Sequence, residues 1–388
     1  MLMGDDFAFD SDGVLTRGTV TENVGWRGND GLPLNGLQQS VNTRQRDEDE
    51  QIQDLSFNLK WTPTDQLSFN FDAQFIDAET QVADVTTFFA FFANLTYDLG
   101  GDFARIDYSA PTDGGPNYFG DFGNYYFRAK MDHLQDNDAE EQAFRADVEY
   151  DFEDAGWLRS ARFGARYADQ ETNVRYTTFN WGNVSEIWTG TDVGTGENIL
   201  RLDDPRLSDV VGFEPFSGFY RDEAEPGLNG VPIWTGPLAQ DYPGFLDAIL
   251  PILDSAGSFG NVLTTRGGVD ENGFLPSEIS EVSVETTAFY GRLDFGGDIG
   301  NGMQLAGNVG VRYVSDTITS NGSFTVPPIE DAFGGETLES ICEPGRMFPG
   351  GPPGVCSQDI AAISSLFANP SSSDDGFEND YDQWLPSL

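Results

Sequence analysis

The sequence predicts an all-β chain, a segment of an antiparallel transmembrane β-barrel (a partial barrel) with long extracellular loops, and three observations predict it. Apolar side chains recur at every second position over three long stretches, and each stretch folds back on itself through a tight turn. The tight turns alternate with long connections, and aromatic residues collect beside the tight turns, where an interfacial girdle would lie. No run of about 18 apolar residues occurs, which excludes a membrane-spanning helix but not crossing strands.

The chain opens with a weak strand candidate, Val14 to Val24, and a Gly-, Asn- and charge-rich stretch, about 25–50, that reads as loop. The first ribbon follows. Leu55, Phe57, Leu59 and Trp61 alternate with polar residues, the turn Thr62-Pro63-Thr64-Asp65-Gln66 reverses the chain, and Leu67, Phe69, Phe71, Ala73 and Phe75 resume the rhythm. Pro63 presets its φ, and Asp65 is placed to bond its own backbone. The second ribbon sets Phe144, Ala146, Val148, Tyr150 and Phe152 against Ala161, Phe163, Ala165 and Tyr167, through Glu153-Asp154-Ala155-Gly156. The third sets Thr287, Phe289, Gly291, Leu293 and Phe295 against Met303, Leu305, Gly307, Val309, Val311 and Tyr313. Long loops are expected at about 78–141, 169–282 and 316–382, with Phe88 to Phe92 packing within the first of them. Within the second, Phe245 to Leu253 has helical spacing and predicts a short amphipathic helix broken at Pro251. The closing Trp384 to Leu388 looks like a strand barely begun.

With 31 Phe, 13 Tyr and 45 Gly but only 38% hydrophobic residues, the composition suits alternating strands and wide turns. The balance of 20 Lys and Arg against 65 Asp and Glu, a formal charge of −45, repels phosphate backbones and excludes nucleic acid as a partner. No signal peptide is visible in the opening residues, so export would require a native N-terminus outside this sequence. Cys342 and Cys356 lie in a Gly/Pro-rich loop and would close a disulfide in an oxidising compartment; in a reducing one they would be two unpaired thiols.

Chemistry by catalysis finds little support, and no enzyme activity, cofactor or metal is expected. The one histidine, His133, falls in an acidic stretch and reads as a solvated loop residue. Carboxylates are plentiful, yet no spacing selects a glycosidase pair. Leu202-Asp203-Asp204-Pro205 and Asp270-Glu271-Asn272-Gly273 offer hard oxygens without the ligand ladder of a calcium loop. The polar side of the ribbons says more. Arg145, Arg162, Arg166, Arg292, Asp294 and Arg312, with Asp147 and Glu149, mix signs there and are expected to face a watery lumen, where pairing braces the wall. For substrate binding, Trp181, Trp188, Tyr220 and Trp234 are loop aromatics able to stack on sugar rings, with packing inside the loop as the competing role.

A family resemblance enters at Thr286-Thr287-Ala288-Phe289-Tyr290-Gly291-Arg292-Leu293-Asp294-Phe295 and at Leu305-Ala306-Gly307-Asn308-Val309-Gly310-Val311-Arg312-Tyr313-Val314. These stretches resemble the TonB-dependent outer-membrane receptors, the type abundant in Xanthomonas-like and Caulobacter-like bacteria. Phe163-Gly164-Ala165-Arg166-Tyr167, Leu59 to Asp65 and Asp382 to Leu388 carry weaker signals of the same kind, so the resemblance spans about 55–388. It implies a 22-stranded barrel closed by a plug domain, in the outer membrane of a Gram-negative bacterium, surrounded by outer-membrane lipid. It further implies energised import driven by the TonB, ExbB and ExbD complex, of an oligosaccharide or another small ligand. The polar face would then also contact the plug. Neither plug nor terminal aromatic strand is recognisable, so the chain reads as a middle segment of such a receptor. A secreted β-rich carbohydrate-binding or adhesion protein is the alternative, and a β-fold glycosidase a third.

Overall fold

In a computed structural model the chain is all-β, dominated by one large antiparallel sheet. The structure describes residues 2–3, 6–22, 33, 35–101, 103–153, 155–185, 199–216, 227–256, 262–300, 302–323, 337–343, 356 and 376–388. Its strands are β1 (Leu2–Met3), β2 (Ala8–Phe9), β3 (Leu15–Thr21), β4 (Leu37–Trp61), β5 (Leu67–Asp98), β6 (Arg105–Ser109), β7 (Tyr126–Asp151) and β8 (Leu158–Tyr176). They continue with β9 (Asn180–Asn183), β10 (Val211–Pro215), β11 (Gly230–Trp234), β12 (Ile279–Gly300), β13 (Met303–Gly322) and β14 (Phe377–Ser387), with one long helix, α1 (Tyr242–Ala256). Among the described residues no helix is long and apolar enough to cross a membrane. Two compact units divide the chain: the first holds Met1–Glu48, Val82–Leu134 and Thr178–Gly267, the second Asp49–Gln81, Gln135–Thr177 and Gly268–Leu388.

The second unit is an up-and-down sheet in the order β4-β5-β7-β8-β12-β13-β14. From β7 to β13 its register keeps the two-residue period in step over the central rows. Val148 faces Phe163, Phe163 faces Gly291 and Gly291 faces Val311, while one position away Asp147, Gly164, Tyr290 and Arg312 form the parallel row of the other face. A one-residue slip anywhere would mix the rows, which is why the pairing is unique. Among the described residues β14 pairs only with β13 and β4 only with β5, and no closed barrel is shown. The tight turns are short for local reasons. Thr64, rather than Asp65, caps the first, its Oγ1 accepting from the Leu67 amide at 3.1 Å. In the second Gly156 sits at φ +67°, a region costly for a residue with a Cβ.

Strand ends depart from the sequence expectation in one direction: the strands run on. The loop expected at about 25–50 is strand from Leu37, and the one at 78–141 contains β5 up to Asp98, β6, and β7 from Tyr126. The connection at 169–282 surrenders its ends to β8 and β12, and that at 316–382 to β13 and β14, which begins at Phe377. Stretches such as Arg44 to Glu50 are polar on both sides, so hydropathy has no period there; backbone pairing alone carries the strand. Cys342 and Cys356 are joined by a disulfide with Cα atoms 5.2 Å apart.

The first unit has a buried core instead of two open faces. Val85, Phe89 and Phe91 of β5, Phe127 of β7 and Trp234 of β11 pack with Phe245 and Ile249 of α1, and the Phe89 and Phe127 rings meet edge-on at 5.3 Å. Helix α1 is unbroken through Pro251. A proline in a helix interior costs about 3 kcal/mol, but Phe245, Ile249, Ile252 and Leu253 form one stripe and all are buried, each worth about 1.5–3 kcal/mol. The stripe outweighs the proline.

Beside this core lies a buried polar knot. Asp132 and Lys130 are fully buried on β7, and the Lys130 ammonium donates to Asp132 Oδ1 at 2.9 Å. Asn180 donates to the same oxygen at 2.7 Å, while the Tyr242 hydroxyl and the Leu263 amide donate to Oδ2 at 2.7 and 2.9 Å. Burial pulls the Lys130 ammonium down and the adjacent carboxylate opposes it, whereas burial and the carboxylate together push the Tyr242 hydroxyl up and keep it a donor. His133, expected in solvent, is fully buried next to this knot and stacks on Phe179 with ring centres 4.3 Å apart. The acidic flank that suggested a loop is the polar continuation of β7.

Asp132→Ala should destabilise the first unit by about 3–5 kcal/mol, because it takes the carboxylate away from the buried Lys130 ammonium. Amide hydrogen exchange of α1 and of 262–265 reads this; unchanged protection there would refute the role given to Asp132.

Candidate functional site

The polar face of the second unit brings together the charged side chains that sequence reasoning placed on one side of the ribbons, Asp147 and Glu149 included. Arg145, Arg162, Arg166, Arg292, Asp294 and Arg312 occupy positions of one parity, established by the registers of β7 with β8, β8 with β12 and β12 with β13. The alternation of strand side chains then sets them on one face.

Two groups of arginines stand on that face, and they differ in countercharge. Arg162 and Arg292 are register partners. Arg162 reaches Glu149 at 2.7 Å and Asp294 at 4.0 Å, Arg292 reaches Asp294 at 2.5 Å, and Ser160 donates to the same carboxylate at 3.3 Å. Two carboxylates thus interleave two guanidiniums. Arg145 and Arg166 are also register partners, and Arg312 lies one row on, opposite Tyr290. Arg145 pairs with Asp147 at 2.7 Å, Arg166 comes only to 3.9 Å from Glu141, and no ion pair of Arg312 occurs among the described residues. Asp72, on the neighbouring β5, accepts from Asn58 and from Asn70, each at 2.6 Å.

Glycine and alanine make room between these groups. A Cβ on Gly164 would overlap both the Tyr290 ring and the Asp147 carboxylate. Its absence lets the tyrosine lie across β8 and donate from its hydroxyl to Asp147 at 2.8 Å. Ala288, register partner of Arg166, is 3% exposed and keeps the floor low. The result is a cavity of about 520 Å³ lined by Arg145, Arg166, Arg312, Asp72, Gln74 and Tyr290 among others. A second, about 610 Å³, adjoins it along Asn58, Lys60, Asp147, Glu149 and Arg162. Gly164 and Tyr290 shape the cavity, a part that sequence reasoning did not give them. The Gly-aromatic cross-strand pair was present as a signal only once the register was known.

The opposite face is apolar and bare. Leu55 is 71% exposed, Phe57 62%, Phe163 and Phe289 55%, and Trp384 69%, and no second layer covers them among the described residues. Their neighbours are one another: Trp61 stacks on Phe69 at 5.3 Å, Phe75 meets Phe144 edge-on at 5.6 Å, and Tyr313 tilts against Trp384 at 4.9 Å.

The aromatics expected to bind sugar are not brought into one site. Trp234 is 2% exposed, a core residue whose indole N–H donates to the Pro237 carbonyl at 3.0 Å, so it is no stacking platform. A tryptophan beside Pro and Gly looked like loop, but β11 lies under α1. Trp181 is on β9 and 39% exposed, opposite Met131 of β7. Trp188 and Tyr220 lie outside the described residues.

Carboxylates weighed for calcium are engaged locally. Asp204 accepts from the Arg206 amide and guanidinium, which hold its carboxyl below the usual range, and Asp270 accepts from the amides of Asn272 and Phe274. Among the described residues no group of three His, Cys, Asp or Glu stands close enough to hold a metal ion.

Gly164→Ala should destabilise the second unit by about 1–3 kcal/mol through the overlap with Tyr290. Tyr290→Ala in the same chain should recover part of that loss. Urea midpoints of the three variants measure it, and additive losses would refute the steric link. No protein-family model, curated protein or solved structure matches the chain.

Proposed function

We propose that the second unit is a wall segment of a transmembrane β-barrel in the outer membrane, and that the protein serves ligand-gated, energised import of a scarce solute, with carbohydrate foremost. The observation that carries this reading is the bare apolar face. Fully burying a Leu or Phe side chain is worth about 1.5–3 kcal/mol, and this sheet leaves a row of them on every strand in contact with solvent. Large exposed apolar patches mark partner or membrane surfaces. Lipid covers such a face while leaving the reverse wet, which is the arrangement of a barrel with a polar interior.

The same reading accounts for the placement of aromatics. Trp61, Phe152 and Trp157 cluster at the tight-turn ends of the strands, where amphipathic rings favour the interface. It also makes a demand. In hydrocarbon an unpaired strand edge is too costly to persist, so the free edges of β4 and β14 require further strands. The resemblance to TonB-dependent receptors supplies the kind of barrel and the energy source, the TonB, ExbB and ExbD complex, and implies no catalysis.

Refolding the full chain into liposomes whose lipids carry bromine high on the acyl chains tests the reading. A variant retaining Trp61 as its only tryptophan should be quenched, and one retaining only Trp234 should not. A chain that stays soluble and monomeric without detergent, with Trp61 unquenched, overturns it in favour of a secreted carbohydrate-binding or adhesion protein.

A further inference from the structure

We infer that the cavity of about 520 Å³ between Arg145, Arg166 and Arg312 is an anion subsite for an oxyanion-bearing small solute, a carboxylate sugar such as a uronate. The argument is a comparison within one face. The Arg162 and Arg292 pair is neutralised by two carboxylates within 2.5–4.0 Å. The Arg145, Arg166 and Arg312 group has the same number of carboxylates within that reach, Asp147 at 2.7 Å and Glu141 at 3.9 Å, but three guanidiniums to share them. The remaining acid in its lining, Asp72, is taken up by two asparagine amides.

This deficit stands in a chain with 65 acidic and 20 basic side chains, where any arginine has acids to spare for partners. Arg145 and Arg166 moreover face each other across a strand junction, and like charges directly opposite are destabilising. An anion in the cavity relieves that repulsion. Both side chains keep about half of their surface open, 53% and 50%, which leaves them accessible to a ligand. Planar carboxylates and phosphates match the guanidinium fork with two parallel hydrogen bonds. The Tyr290 ring, held across Gly164, forms an apolar wall of the same cavity, suited to a sugar's C–H face.

As a statement about the imported solute the inference rests on the import reading; as a statement about binding it is tested separately. Isothermal titration of the full chain in detergent micelles compares D-galacturonate with D-galactose. Galacturonate should bind at least about ten-fold tighter, with an affinity that falls as salt rises. Equal affinities, or no binding of either, overturn the inference whatever the variants do. Arg312→Gln and Arg166→Gln should each weaken galacturonate about ten-fold, and Arg46→Gln, outside the cavity, should not. Ala288→Leu should weaken it by filling the floor while all charges remain. Unchanged binding in any folded cavity variant, judged by circular dichroism, refutes the location. Inorganic phosphate as competitor separates the sources: displacement means that phosphate esters are accepted too, and failure to displace confines the ligand to carboxylates. A chain that enters lipid but does not distinguish the two sugars sinks only this inference; one that binds galacturonate yet stays out of lipid sinks only the import reading.

Discussion

The constraint on which the second unit depends is the coincidence of two periods, that of the side chains and that of the ladder. Side chains alternate with period two along each strand, and the hydrogen-bonded register from β7 to β13 never shifts parity over the central rows. Only because both hold do apolar residues from separate stretches of sequence merge into one continuous face and charged residues into the other. The irregularities sit at the ends, between Asp298 and Gly300 and between Asp294 and Phe295 beside the tight turns, where a slip no longer moves a central row.

The two faces then solve different problems. On the polar side, charges lie within reach of one another at a surface still partly wet, where an exposed ion pair is worth at most about 1 kcal/mol. Their value is positional: Glu149 and Asp294 orient Arg162 and Arg292, and Asp147 receives both Arg145 and the Tyr290 hydroxyl. The apolar side carries no such specificity: among the described residues its Phe, Leu and Trp side chains meet chiefly one another. On the polar side the missing bulk of Gly164 and Ala288 has an identified use, room for the Tyr290 ring and a low cavity floor.

The first unit uses the same strands differently. From Val82 onward β5 is buried along both faces, and the pattern of alternating exposure disappears. Burial there makes polar groups expensive, and the response is the knot around Asp132, in which each carboxylate oxygen accepts two hydrogen bonds. A residue pair such as Lys130 and Asp132 is unremarkable as sequence; in the fold it is the part most sensitive to losing a partner.

The sequence by itself determined which residues share a face. Leu55 to Trp61, Phe144 to Tyr150 and Phe289 to Phe295 alternate strictly, and alternation is a local property of an extended backbone. It also brought the charged residues of the polar face together in one class. Only the tertiary structure decided how far the strands extend, because Arg44 to Glu50 and Asp136 to Glu141 have no apolar period and are held by their partners. It decided that His133 and Trp234 are interior, since burial depends on what α1 and β9 bring over them. And it decided which arginines keep their countercharge, because Arg162 meets Asp294 through a contact between strands far apart in the chain, while among the described residues Arg312 meets no carboxylate.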